Sequence, residues 1–305
     1  MESMEPTTHR LYVDVGQTGS RVVDTMGVKI TSPFSYSPGK PLESLVEDIL
    51  TSVTHRRADT VVLSLTGLRG QVPDITPLVT TCTALTMCTE VGVADDGLAW
   101  SVGSLGGGDG VSLAVGGGVV AVSRQGPIFH HLDGNGSDFG DSGGAYWLGR
   151  KGIRAAIRAL EGSDEPTRLT GAFADYFGPH GDFVRNTVET EAVHRAAISF
   201  AQAVLDAAVS GDEVASRIIN HGATRLARLV TQGARLAGLP DTARVALGGG
   251  LMKHPHYRQQ VIDRITASGG HYSVIDPLGD ALDGLQLLDT TVKDDIVNLL
   301  TWWRA

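Results

Sequence analysis

A chain of 305 residues is long enough for two domains with separate cores, and 39 of those residues are glycine, well above the ordinary share of about 7 %. The formal net charge of −9 excludes a general nucleic-acid binder. No apolar run approaches the ~18 residues that a membrane span needs, and the opening Met1-Glu-Ser-Met-Glu-Pro6 is acidic rather than signal-like, so a cytoplasmic protein is expected. In that compartment the two cysteines, Cys82 and Cys88, are expected to be reduced and structural.

Alternation predicts antiparallel strands over 10–15 and 21–30. Leu42, Leu45, Val46, Ile49, Leu50 and Val53 recur at helical spacing and predict a helix over 42–57. A buried strand follows over 60–65, then a helix over 75–83, a strand over 84–91 and a helix opening at Asp95-Asp96 and running to 102. Three more short strands, 111–115, 119–123 and 126–131, repeat the opening meander and suggest an internal duplication. After Trp147 the pattern turns helical, with long amphipathic helices over 191–209 and 212–237, the second capped by Asp212. Strands over 244–247 and 272–275 come next, and helices over 279–288 and 292–303 close the chain. Asp280, Asp283, Asp289, Asp294 and Asp295 read as a solvated helix face, His130-His131 and His254-Pro-His256 as loop or surface histidines, and Trp302 and Trp303 as packing residues.

Glycine-rich turns follow three of the strand runs: Leu11-Tyr-Val-Asp-Val-Gly-Gln-Thr-Gly-Ser-Arg21, Val111-Ser-Leu-Ala-Val-Gly-Gly-Gly-Val119 and Ala243-Arg-Val-Ala-Leu-Gly-Gly-Gly-Leu251. Glycine lets backbone N–H groups approach phosphate without a Cβ clash, and successive amides in tight turns form anion-binding concavities. The first turn carries a further signal. Asp14 sits inside a strand, where a carboxylate is costly, just ahead of Gly16, Thr18 and Ser20, and reads as a magnesium anchor facing a phosphate site. Neither a Gly-Lys-Ser/Thr P-loop nor a dinucleotide fingerprint is present.

Taken in order, the strand-Asp-x-Gly-x-Thr, the Asp-opened helix, the strand-Gly-Gly-Gly, the segment Gly140-Asp-Ser-Gly-Gly-Ala-Tyr-Trp-Leu-Gly-Arg150 and then Gly248-Gly-Gly resemble the N-acetylglucosamine kinase family. That family is grouped with the BadF-type ATPases inside the actin-like sugar-kinase superfamily. The resemblance implies an α/β protein of two RNase H-like domains, 1–110 with 284–305 and 111–283, hinged around ATP with a sugar in the interdomain cleft. It implies that Asp14 holds Mg²⁺ through water, that Gly16, Gln17, Thr18, Gly19 and Ser20 contact the β- and γ-phosphates, and that Gly116, Gly117 and Gly118 clasp the same phosphates. Asp96 matches the catalytic base and a sugar contact, Asn135, Gly136 and Asp141 fall on the sugar loop, and Gly249 and Gly250 fall where the family packs its backbone against adenosine.

The implied activity is ATP-dependent phosphorylation of an amino sugar, N-acetylglucosamine first, on its 6-hydroxyl. The implied partners are ATP, Mg²⁺ and a small-molecule sugar, without nucleic acid or membrane, and a homodimer is compatible with the sequence. The chain departs from the family pattern in three places: Gly116-Gly-Gly-Val119 lacks the usual hydroxyls, Asn135 replaces a tryptophan, and Ser142 replaces an acid. Two other classes stay open: an ATPase switch acting on a partner protein, against which the lack of clustered cysteines counts, and a sugar- or nucleotide-binding regulator without catalysis.

Overall fold

The computed structural model describes residues 9–17, 19–37, 39–53, 57–179, 190–291, 296 and 298–305. The chain divides into two compact units, one formed by Met1–Asp109, Gly126–His131 and Pro277–Ala305, the other by Gly110–Gln125 and Leu132–Asp276. With elements numbered in chain order, the first sheet holds β1 (Arg10–Val15), β2 (Ser20–Asp24), β3 (Lys29–Ser32), β4 (Thr60–Leu65), β5 (Glu90–Asp95) and β11 (Leu300–Arg304), in the order β11-β5-β4-β1-β2-β3. Strands β1, β4 and β5 are parallel, while β2, β3 and β11 run antiparallel to their neighbours. The second sheet, β6 (Gly110–Val115), β7 (Val119–Gln125), β8 (Ile128–Asp133), β9 (Arg244–Gly248) and β10 (Ser273–Ile275), is ordered β10-β9-β6-β7-β8. This repeats the β5-β4-β1-β2-β3 order of the first, as the duplicated sequence rhythm led one to expect.

The first sheet is buried on both faces because its central strands alternate between two cores. Leu11, Val13 and Val15 of β1 join Val61, Leu63 and Leu65 of β4 against α1 (Leu42–Val53) and α2 (Thr76–Thr86). Tyr12, Val62 and Ala94 point the other way, against α3 (Asp96–Ser104) and α9 (Ala281–Thr291). Each fully buried leucine or valine contributes roughly 1.5–3 kcal/mol. In the second unit one core gathers β6, β7 and β9 with α4 (Ala145–Leu160), α5 (Leu169–Phe177), α6 (Thr190–Val209), α7 (Glu213–Leu236) and α8 (Pro255–Thr266). Asp212 caps α7, accepting the Ala215 N–H at 2.8 Å.

Both units bring two helices together through glycine. A Cβ on Gly149 of α4 would lie 1.7 Å from the Ala197 carbonyl oxygen of α6, and Cβ atoms on Gly103 of α3 and Gly284 of α9 would lie 1.9 Å and 1.8 Å from the carbonyl oxygens of Asp280 and Ala99. The backbones touch where a side chain would otherwise stand.

Three sequence expectations change. The strand expected over 21–30 is broken by a turn in which the Asp24 carboxylate accepts the N–H groups of Met26 and Val28, leaving β2 and β3. Residues 84–86 do not open a strand; they finish α2, because the hydroxyls of Thr80, Thr83 and Thr86 bond carbonyls one turn back and let a β-branched run stay helical until Met87 turns left-handed. The closing segment is a strand, not a helix: β11 pairs antiparallel with β5, and Trp302 lies over Gly92, whose missing side chain makes room for the indole. Residues 292–295, with Asp294 and Asp295, lie outside the described residues.

Replacing Gly149 by alanine is expected to destabilise the protein by about 3 kcal/mol through overpacking, despite the ~1 kcal/mol that alanine gains in an open helix. Gly171, in α5 with nothing within 4 Å of a Cβ, is the control: Gly171→Ala is expected to stabilise by about 0.5–1 kcal/mol. Denaturant unfolding of the two variants reads the opposite signs; the same sign for both would contradict this packing.

Candidate functional site

Parallel strands deliver side chains at their carboxyl ends, where α/β sheets place their ligands. Here the ends of β1, β4 and β5 carry Asp14, Ser64 with Thr66, and Asp95 with Asp96. Asp14 stands opposite Ser64 in the register of β1 and β4, and Leu65 stands opposite Asp95 in that of β4 and β5. Ser64 Oγ donates to Asp14 Oδ1 at 3.1 Å. Arg21, beside Asp14 across β1 and β2, donates to Asp14 Oδ2 from Nη2 at 2.6 Å and from Nε at 3.2 Å, and pairs through Nη1 with Asp280 at 2.5 Å.

Asp280 also opens α9. Its carboxylate accepts the N–H groups of Leu282 and Asp283, and Asp283 accepts the Asp280 N–H in return at 2.8 Å. Burial works against the ionised Asp280, but the Arg21 charge and these N–H donors prevail and lower its pKa. Asp289, expected on a solvated face, is instead fully buried, where it accepts from Arg10 and from Tyr12 Oη at 2.9 Å. The α9 acids are thus mainly tethers to β1 and β2.

Asp95 is fully buried and satisfied as the N-cap of α3: it accepts the N–H groups of Gly97 at 3.0 Å and Gly70 at 2.9 Å, with His131 Nε2 at 3.5 Å. His131 is therefore not a surface histidine. Asp96, the next residue, is half-buried and feels the charges of Asp95 and Asp14. Loss of hydration pushes its pKa up, the Asp95 and Asp14 charges push it further, and hydrogen bonds from Thr66 and the Gly97 N–H offset this only in part, leaving it at about 7. One carboxylate in the cluster is thus poised to hold or release a proton near neutral pH.

The other sequence-predicted residues divide into donors and scaffold. Thr18 lies outside the described residues. The Gly16 N–H donates to the Gly19 carbonyl at 3.0 Å within the turn. Ser20 is fully buried and its hydroxyl donates to the Phe34 carbonyl at 2.7 Å, while Gln17 is exposed. In the second unit the Gly116 N–H bonds the Gly118 carbonyl at 2.9 Å, and the carbonyls of Gly116 and Gly117 receive the N–H groups of Ala145 and Tyr146 at the start of α4.

Asp141, on the expected sugar loop, has φ of +60° and is 9 % exposed; its Oδ1 accepts the Val119 N–H at 2.7 Å, fastening the loop to the Gly116–Gly118 turn. Asp133 accepts the Asp141 N–H at 2.8 Å, whereas Asn135 on the same loop is exposed and Gly136 supplies a carbonyl to the turn. Gly249, with φ of +93°, packs where a Cβ would meet the Val115 carbonyl oxygen at 2.4 Å; Gly250 faces open space.

Sequence reasoning missed Arg21, Ser64, Thr66, His131 and Asp280. Arg21 was legible in principle, since it stands across a tight hairpin from Asp14; Asp280 and His131 come from distant segments that no local pattern joins to the site.

The residues present fit a magnesium ion held largely by a nucleotide's phosphates. Among the described residues no three His, Cys, Asp or Glu side chains could hold a metal by themselves, but Mg²⁺ keeps its waters and needs only one or two carboxylates beside phosphate. The Asp14 charge raises the cost of ionising Asp96, which a cation there would relieve.

The BadF/BadG/BcrA/BcrD ATPase family matches the chain over residues 17–284. Among solved structures, a protein from Chromobacterium violaceum assigned as an N-acetylglucosamine kinase superposes with a TM-score of 0.70 at 21 % identity, covering 93 % of this chain and 99 % of that one. A second assigned N-acetylglucosamine kinase, from Porphyromonas gingivalis, gives 0.66 at 16 % identity over 92 % and 99 %. The ROK hexokinase of Thermus thermophilus gives 0.57 at 14 % over 93 % and 100 %. These likenesses establish the fold, which the chain shares with these three proteins. No curated protein matches the chain in sequence.

The electrostatics of Asp96 have a measurable consequence for stability. Its folded pKa of about 7 lies above the unfolded value of 3.8, so the native state is favoured at low pH and loses stability as pH rises from about 4 through about 7. Asp96→Asn removes that loss. It is expected to stabilise the protein by about 2 kcal/mol at pH 8, discounted for partial exposure, and by under about 0.5 kcal/mol at pH 4. An equal change at both pH values, read by denaturant unfolding, would contradict the raised pKa.

Proposed function

The chain belongs to the BadF/BadG/BcrA/BcrD ATPase family, and on that premise we propose that it is an ATP-dependent kinase that phosphorylates an amino sugar, N-acetylglucosamine being the favoured acceptor and its 6-hydroxyl the favoured position. The observation that carries this reading is the place of Asp96, at the start of α3 beside the strand ends that hold Asp14, where loss of hydration and the Asp95 and Asp14 charges raise its pKa to about 7. A sugar hydroxyl is a poor nucleophile, and its oxygen can bond the γ-phosphorus only as its proton leaves. Asp96 takes that proton on a carboxylate oxygen, and its raised pKa makes it a better base than an ordinary aspartate while still ionised in a useful fraction at neutral pH.

The other residues bind and orient. Thr66 and the Gly97 N–H fix the Asp96 rotamer, and Asp95, held by two N–H groups and His131, sets its basicity. Asp14, held by Arg21 and Ser64, would anchor Mg²⁺ with Asp96 near it; the ion, when bound, neutralises charge building on the phosphates. Gln17 and Gly19 would supply phosphate contacts within a turn shaped by Gly16 and Ser20, with Thr18 as the hydroxyl. Gly117 and Gly118 would do so in a turn shaped by Gly116, and Gly249 and Gly250 would lie against the nucleoside. Asn135 and Gly136 would meet the sugar on a loop that Asp141 fastens. Among the described residues no helix is long and apolar enough to cross a membrane.

A second reading, ATP hydrolysis that drives a partner protein, draws on the family's ATPase description. The buried Cys82 and Cys88, both with thiols held protonated by burial, offer it no accessible cluster ligands.

Asp96→Asn is expected to lower kcat for sugar phosphorylation by about 10²–10⁴-fold while ATP affinity stays within about threefold. The wild-type kcat/KM is expected to rise with pH through about 7 as Asp96 ionises. A variant that keeps a tenth or more of the wild-type kcat, or a flat profile from pH 5.5 to 8, would remove Asp96 from the role of base. With Asn135 in place of an aromatic side chain, glucosamine is expected to be turned over as well; a preference for N-acetylglucosamine above about 10⁴-fold would mean the acetamide is read elsewhere.

A further inference from the structure

The second unit carries a concave basic patch that the proposed chemistry does not use. On α4, Trp147, Lys151, Arg154 and Arg158 recur at i, i+4, i+7 and i+11, and so share one face of the helix. The first three, with Arg150, Asp138 and Phe139, line a pocket of about 190 Å³. Trp147, Lys151 and Arg154 continue into a neighbouring groove of about 550 Å³. Along that groove Arg158 and Arg217 are neutralised, by Asp164 at 3.9 Å and Glu165 at 2.5 Å.

The pocket itself is not neutralised. Among the described residues Arg150, Lys151 and Arg154 have no carboxylate within ion-pair range, and Lys151 Nζ instead lies 5.5 Å from the centre of the Trp147 ring. Three cations against the single carboxylate of Asp138 leave two positive charges unbalanced, in a chain whose net charge is −9. Arg150 and Arg154 are four residues apart and Lys151 and Arg154 three, so their repulsion weakens α4. An anion would relieve that cost.

We propose that this pocket binds a monosaccharide phosphate, with the phosphate on Arg150, Lys151 and Arg154 and the sugar ring against Trp147 and Phe139. Charge selects the phosphate: a phosphate monoester carries about −1.5 to −2 near pH 7, matching the two unbalanced charges, whereas a carboxylate supplies one. The two guanidinium forks suit its oxygens. Size and surface select the monosaccharide. The pocket is smaller than the ~300–1,000 Å³ of drug-sized sites, and Phe139, 91 % exposed, with Trp147 offers aromatic faces that free phosphate cannot use.

The pocket also adjoins the loop that fastens the second glycine turn. Ser137 to Gly140 and Ser142 line it, and Asp141 between them holds the Val119 N–H at 2.7 Å. Occupancy therefore bears on the Gly116–Gly118 turn, and feedback by the phosphosugar product is the expected consequence. That consequence rests on the kinase reading; the binding itself does not.

Calorimetric titration of the full chain with N-acetylglucosamine 6-phosphate, inorganic phosphate and glucuronic acid tests the site, in wild type and in the Lys151→Gln/Arg154→Gln double variant. The sugar phosphate is expected to bind wild type at least tenfold more tightly than either other probe, and at least tenfold more weakly to the double variant. Turnover of ATP with neutral sugar, in the absence of added sugar phosphate, is expected to stay within twofold between the two proteins. Equal affinity for inorganic phosphate would reduce the patch to general anion adsorption, equal affinity for glucuronic acid would overturn the charge argument, and undiminished binding by the double variant would place the ligand elsewhere. Failure to phosphorylate any sugar would defeat the kinase reading while leaving this binding result intact.

Discussion

Three carboxylates share the carboxyl ends of one sheet, and the first unit is built around keeping them there. Carboxylates gathered in one place need compensating partners. Asp14 is compensated by Arg21 and Ser64, and Asp95 by two backbone N–H groups and His131. Asp96 receives the least, and its pKa rises to about 7. The compensating groups explain much of the surrounding architecture: α3 starts where Asp95 can cap it, the Gly70 turn is drawn in to donate to Asp95, and α9 starts where Asp280 can take the other end of Arg21.

The two sheets share a strand order but not a chemistry. In the sequence of β6, Ala114 stands where β1 has Asp14, just ahead of the glycine turn. The second turn has no acid at that strand position, and it is braced from outside: α4 donates two N–H groups to its carbonyls and Asp141 accepts from Val119. Of the two scaffolds, the first gathers Asp14, Asp95 and Asp96 at its strand ends. The second carries its charge of the opposite sign, along the outer face of α4.

How much of this was legible depended on whether the signal was local. The glycine turns, the Asp-opened α3, the Asp212 cap and the repeated meander are all written in short stretches, and the family resemblance rested on the same stretches. The threonine-rich end of α2 misled because β-branched residues read as strand, and only hydrogen bonds from their hydroxyls to the preceding turn keep them helical. Strand β11 misled because an apolar run ending in Trp302-Trp303 fits a helix equally well, until Gly92 on the partner strand is placed beneath an indole. The N–H groups of Gly16 and Gly116 are held by the Gly19 and Gly118 carbonyls, and a sequence shows that an N–H exists but not whether another carbonyl already holds it. Arg21, His131 and Asp280 owe their importance to pairing across distant segments, and no spacing rule joins them to Asp14 or Asp95.

The account turns on where the γ-phosphoryl group goes. Following ATP turnover by phosphorus NMR, with N-acetylglucosamine present and absent, separates the alternatives in one experiment. The account expects the 6-phosphate of the sugar to appear in step with ADP, and inorganic phosphate to accumulate far more slowly when the sugar is left out. ADP and inorganic phosphate forming at the same rate with or without sugar, and no phosphate ester signal, would contradict it.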